Sequence, residues 1–265
     1  VTAISHRAEL LAGRYGFRHA ARMEWIKLRS LRSSVWVLAT TAAGMIVIGI
    51  VTIAATEAPQ AAAAEPVDPL NNLLAGLILG QLLIGGLGVL VVTGEYSSGA
   101  IRSTLAAIPN RRLLLAAKAG VFGAAALVVG ELVTFGTFFA GRLALTEAVA
   151  RPGLGDPGVI RALVLFGVYL AMVGLIGIAL GAVLRHTAAA IGTLAGVLFV
   201  VPGVLAGLTG TTVAKFFPTM IAGNSLAVTE PADDVLSPWA GFAVLCLYVS
   251  VALAAGGWMS ARRDA

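Results

Sequence analysis

Six stretches of about twenty residues, each almost free of charge, leave this chain few folds to adopt. They run roughly Val35–Ala55, Leu73–Thr93, Ala119–Phe139, Ala162–Leu184, Ala188–Leu208 and Trp239–Met259. A helix rises about 1.5 Å per residue, so about 20 apolar residues cross a hydrocarbon core about 30 Å thick. None of the six alternates with period two, which argues against the strands of a membrane barrel. The predicted fold is therefore all-α: a polytopic helical membrane protein with six transmembrane helices. Only Arg185, His186 and Thr187 separate the fourth run from the fifth, so these two form a tight helical hairpin.

Composition agrees with the runs. Charged residues make up 12% of the chain and hydrophobic residues 58%, where a soluble domain carries roughly 25% charged residues. So little charge leaves too little polar surface to face water. The 32 glycines suit closely approaching membrane helices. A single cysteine, Cys246, excludes an internal disulfide, and the three histidines His6, His19 and His186 stand apart from any ligand cluster. No metal site is expected.

Orientation follows from lysine and arginine. Arg7, Arg14, Arg18, Arg22, Lys27, Arg29, Arg32, Arg102, Arg111, Arg112, Lys118, Arg185, Arg262 and Arg263 fall on one side of the six runs. Only Arg142, Arg151, Arg161 and Lys215 fall on the other. Cytoplasmic loops hold the excess of basic residues, so both termini are predicted to be cytoplasmic. The first run is longer than the core of a secretory signal, and the segment before it is too long, so cleavage is not expected.

The chain then divides into a cytoplasmic N-terminal segment (residues 1–34), a membrane domain (35–259) and a short tail (260–265). Within the first, Arg18–Ser33 has a helical pattern. Arg18, Arg22, Trp25, Arg29 and Arg32 step by four and three, which puts them on one helix face suited to anionic lipid headgroups. Between the second and third runs, Gly94–Lys118 is too polar to span. A short helix there is predicted, capped by Ser97 or Ser98 and ended by Pro109. Ile101, Leu105 and Ile108 share one of its faces, while Arg102 lies elsewhere, and Arg111, Arg112 and Lys118 follow. Such an amphipathic helix suits docking of a soluble partner, or a plain interfacial connector. Glu57–Pro69 reads as a flexible outer loop, and Val213–Leu226 is apolar enough to dip into the outer leaflet or pack on the helix ends.

Two polar residues stand inside the runs. Glu131 is the one acidic residue in a span. It either lines a substrate or proton path or forms a neutral helix–helix contact. Gln81 is a second path candidate, or a packing hydrogen bond. Pro202, Gly203 and Gly207 should kink or loosen the fifth span. No phosphate loop, dinucleotide fingerprint, nucleophile elbow or zinc-protease motif occurs, so no catalytic residues are expected on this chain. The basic residues flank membrane runs and do not form a nucleic-acid patch.

The residues Glu24-Trp25-Ile26-Lys27-Leu28-Arg29-Ser30 run directly into the first span. After the second span the chain reads Gly94-Glu95-Tyr96-Ser97-Ser98-Gly99-Ala100-Ile101-Arg102-Ser103-Thr104-Leu105, then Pro109, Arg111, Arg112 and Lys118. Together these resemble the membrane-spanning permease subunit of a bacterial type-2 ATP-binding-cassette exporter, of the kind common in actinobacteria. The resemblance implies a bacterial cell membrane, a second permease copy (the same or a different chain), and two copies of a separate ATPase subunit. It implies that this chain binds no cofactor, with ATP and Mg held on the ATPase. Glu95–Arg112 would be the coupling helix, with Glu95, Gly99, Ile101, Arg102, Leu105, Pro109, Arg111 and Arg112 serving the contact. Arg18–Ser33 would be the interfacial helix, and Lys215–Leu226 a short re-entrant element near the exit. The implied function is export of a hydrophobic or amphiphilic substrate such as a drug, lipid or peptide. An ion-gradient-driven transporter using Glu131, and a non-transporting assembly or immunity component, remain open alternatives.

Overall fold

The computed structural model describes residues 16–30, 32–54, 76–144, 152–226, 228 and 235–262, and among them it is helical with no strand. Eight main helices follow in order: α1 Phe17–Ser30, α2 Arg32–Ala54, α3 Leu77–Ser97, α4 Ala100–Ala107, α5 Arg111–Ala144, α6 Val159–Leu184, α7 Thr187–Thr209 and α8 Pro238–Arg262. Five of them, α3, α5, α6, α7 and α8, are long and apolar enough to cross a membrane. Of α2, the stretch Leu38–Thr52 is apolar but shorter than these five. The expected loop Glu57–Pro69 and residues 1–15 lie outside the described residues.

The helix bounds depart from the hydropathy runs on both sides of the segment between the second and third runs. α3 continues through Glu95 to Ser97, and α5 begins at Arg111, well before its apolar run. Both carry charged residues inside the helix, which hydropathy alone cuts off. Arg18, Arg22, Trp25 and Arg29 belong to α1, and Arg32 is the first described residue of α2.

α6 is the axis of the bundle. It packs against α3, α5 and α8, and its side chains Leu163, Phe166, Tyr169, Leu170 and Ile178 are fully buried. Lipid tails are as apolar as leucine, so close packing has to hold such helices together. The α3–α6 crossing supplies it through glycine. A Cβ on Gly88 would collide with the Gly174 carbonyl, and one on Gly177 with the Gly85 carbonyl. The two backbones are in direct contact there, and no larger residue fits.

One end of the bundle gathers the ends of five helices, α3, α5, α6, α7 and α8. Thr187 Oγ1 donates to Thr93 Oγ1 at 2.8 Å, joining the start of α7 to α3. Arg185, in the left-handed region at φ 53°, ends α6 and lies 5.0 Å from the Tyr96 ring of α3. His186 then caps α7, its Nδ1 accepting from the Ala189 N–H. These three residues make the tight hairpin that the sequence predicts. Arg111 Nη1, at the start of α5, donates to the Ser260 carbonyl of α8 at 3.2 Å.

α7 bears out the expected effect of Pro202. A π turn, Gly196–Val200, interrupts it just before the proline. Proline lacks the N–H that would reach the carbonyl four residues back, at Leu198. Thr219 Oγ1 donates to that carbonyl instead, at 2.5 Å. Thr219 sits in Pro218–Met220, which leads into a second π turn, Ile221–Ser225. Ala214, Ile221, Ala222 and Leu226 of this segment are buried, so it packs on the bundle, as its apolar sequence requires.

Candidate functional site: an ion cluster beneath a short amphipathic helix

α4 is short, and its geometry is set by its ends. Gly99 precedes it at φ 74°, a left-handed conformation that glycine adopts without strain. The expected serine cap does not form: Gly99 is the N-cap residue, and Ser98 Oγ instead donates to the Gly94 carbonyl at 2.7 Å. At the other end Ile108 is extended (φ −132°, ψ 90°), as a residue before proline must be. Pro109 thus closes the helix as expected. Ile101 and Ile108 are buried and Leu105 is half-buried, whereas Arg102, Ser103, Ala106, Pro109 and Asn110 are exposed. The helix lies with its apolar face against the bundle and its polar face outward.

Thr104, also on the inner face, leads to the principal finding. Its Oγ1 accepts from Lys27 Nζ of α1 at 3.0 Å. Lys27 also bonds Glu95 Oε1 of α3 at 2.9 Å and Glu24 Oε1, one turn earlier, at 3.3 Å. Lys118 Nζ of α5 completes the cluster, bonding Glu24 Oε2 at 2.6 Å and Glu95 Oε1 at 2.7 Å. Two ammonium groups and two carboxylates therefore tie α1, α3, α4 and α5 together. Glu24 and Lys118 are almost fully buried, with 4% and 5% of their side-chain surfaces exposed.

Such a cluster is a constraint on position more than a source of stability. The desolvation of buried ions offsets most of their attraction, yet deleting one partner leaves a buried charge uncompensated. The four groups hold one arrangement of four helices and penalise others. The sequence names Glu95 as a candidate, but Glu24, Lys27 and Lys118 enter it only as part of a motif or a charge count. A usable signal was present: Ala20, Glu24 and Lys27 fall at i, i+4 and i+7 on the α1 face opposite the arginines. That face packs inward, and Ala20 is completely buried.

The remaining candidates separate. Arg18, Arg22, Trp25 and Arg29 are all exposed along α1, as the stripe requires. Of the two adjacent arginines, Arg111 is half-buried and bonded to α8, while Arg112 faces outward. Gln81 is buried and accepts from the Tyr169 hydroxyl of α6, and Thr219 Oγ1 lies 3.4 Å from its Oε1. Gln81 is thus a link between α3, α6 and the folded-back segment. Glu131 lies on α5 with its carboxyl against Gly167, where a Cβ would meet Cδ at 2.5 Å. Its Oε2 is buried with no hydrogen-bond partner. Gly167 and Tyr169 are two residues apart, about 200° around α6. The helix therefore stands between Glu131 and Gln81 and does not bring them into one path.

No protein-family model matches this sequence, and no curated protein matches it. The ion cluster and the helix it supports carry the functional reading. Among the described residues no group of histidine, cysteine, aspartate or glutamate could hold a metal ion.

Proposed function

We propose that this chain is the permease subunit of an ATP-binding-cassette exporter, with α4 as its coupling helix. The supporting observation is the two-faced setting of α4. Its inner face is fixed to α1, α3 and α5 through Thr104, Lys27, Glu95 and Lys118. Its outer face presents Arg102, Ser103 and Ala106 beside the exposed Arg112. A push on that face is transmitted to the ends of two long helices through bonded groups instead of through loose loops.

In this reading α2 is the sixth span, and the basic end bearing α1 and α4 is cytoplasmic, with both termini. Two permease copies and two ATPase subunits assemble, with ATP and Mg on the ATPase. Closure of the ATPase pair moves α4, and the helices change which side of the cavity between permeases is open. Substrate affinity must differ between these states for hydrolysis to drive export of a hydrophobic or amphiphilic cargo.

The test is co-expression with a phosphate-loop ATPase encoded in the same genome, a neighbouring reading frame first of all, followed by co-purification in detergent. Recovery of a complex whose ATPase rate rises with an exported amphiphile supports the reading. A chain that purifies alone, with that ATPase unbound, overturns it.

The unpartnered Glu131 Oε2 favours a second reading, a carrier that uses proton binding at Glu131. Transport that persists without any ATPase and collapses with the proton gradient would establish it.

A further inference from the structure

A cavity of about 620 Å³ opens beside the ion cluster, between α1, α3 and α5. Its volume lies within the range of small-molecule sites, about 300–1,000 Å³. One end is charged, formed by Glu24, Lys27, Glu95 and Lys118. The rest is hydrocarbon, lined by Leu28, Leu87, Leu90, Val91, Val121 and Phe122. Leu90 is exposed on the outer surface of α3, so the apolar part opens sideways, where lipid would lie. Ser98 and Ala100, both exposed, form the rim at the end of the bundle.

The charged end states what it would accept. Two ammonium groups and two carboxylates cancel, so a head of net charge finds no compensation there. Lys27 uses its three donors on Glu24, Glu95 and Thr104. Lys118 uses two, on Glu24 and Glu95. Glu95 Oε2 is buried with no hydrogen-bond partner. The unfilled capacity is one ammonium donor and one carboxylate acceptor, side by side. A head that carries a phosphate oxygen and a primary ammonium satisfies both and adds no net charge.

We infer that this cavity binds a zwitterionic phospholipid of the phosphatidylethanolamine type from the surrounding leaflet. The ammonium goes to Glu95, the phosphate to the remaining donor of Lys118, and one acyl chain lies along Leu87, Leu90 and Phe122. This site is within one chain and requires only that the chain sit in a bilayer, so it stands or falls apart from any pairing with an ATPase. It also differs from the arginine stripe of α1, which would take anionic headgroups on the surface.

The full chain, without ATPase, is placed in nanodiscs made of equal parts phosphatidylethanolamine, phosphatidylcholine and phosphatidylglycerol, and the lipids it retains are identified by native mass spectrometry. One ethanolamine lipid is expected per chain, favoured about tenfold over each competitor. Leu90→Trp, which fills the open side of the slot, is expected to lower that retention about tenfold. The control Leu247→Trp, on the exposed face of α8, is expected to leave it unchanged, and neither variant should shift the melting temperature in pure phosphatidylcholine. Equal retention of the three heads overturns the inference. So does preference for phosphatidylglycerol, or full retention by Leu90→Trp.

Discussion

Lys118 Nζ lies 2.6 Å from Glu24 Oε2, across 94 residues of sequence, and both side chains are buried. This contact pins the amphipathic α1 to the start of α5, and through Glu95 and Thr104 it fixes α4.

Lys118→Met is therefore expected to destabilise the protein by about 3–5 kcal/mol, because two buried carboxylates would share only Lys27. Thermal unfolding in detergent measures it. Adding Glu24→Gln should restore part of the loss, since the uncompensated charge is then removed. An unchanged melting temperature in the single variant would show that the cluster carries no constraint.

The π turn of α7 makes a linked prediction. Thr219→Val strands the Leu198 carbonyl and is expected to cost about 1–3 kcal/mol. Pro202→Ala returns an N–H at the position that would bond Leu198. In that background Thr219→Val should cost less, with a coupling of about 0.5–3 kcal/mol in a double-mutant cycle. Simple additivity would sever Thr219 from the proline.

Gly177 and Gly192 differ in kind although both are helical glycines. A methyl at Gly177 meets the α3 backbone, whereas nothing lies within 4 Å of one at Gly192. Gly177→Ala should cost about 1–3 kcal/mol by overpacking. Gly192→Ala should raise or leave stability, helix propensity favouring alanine by about 1 kcal/mol. Size-exclusion profiles and melting curves distinguish them, and equal behaviour would contradict the α3–α6 contact.

The two adjacent arginines should part company in docking assays. Arg102→Glu with Arg112→Glu reverses charge on the exposed face and should weaken ATPase co-purification about tenfold, with an increased dependence on salt. Arg111→Glu instead breaks the bond to the Ser260 carbonyl, and should lower the melting temperature of the permease alone. If the exposed pair leaves pull-down intact, α4 is not the docking element.

Much of the architecture was legible in the sequence because it depends on near-neighbour chemistry. The apolar runs marked the long helices, and the chain at Arg185–Thr187 could only turn tightly. Pro109 fixed the end of α4, and Pro202 the break in α7. The site was half legible. The face of Ile101 and Ile108 followed from helical spacing, and Glu95 was named only through the resemblance. Lys27 and Lys118 did not stand out, because a lysine flanking a span also serves as an anchor to the membrane surface, and spacing cannot separate the two roles.

By itself, then, the sequence determined that the chain is a set of long apolar helices with basic residues concentrated at one end, since hydropathy and charge are properties of individual residues. Tertiary structure alone decided that Glu24, Lys27, Glu95 and Lys118 meet, that Thr219 answers the carbonyl left open by Pro202, and that α6 separates Glu131 from Gln81. Each depends on the rotation and depth at which helices distant in sequence pack. Those are set by close contact of whole surfaces, such as the bare backbones at Gly88 and Gly177, and no local pattern encodes them.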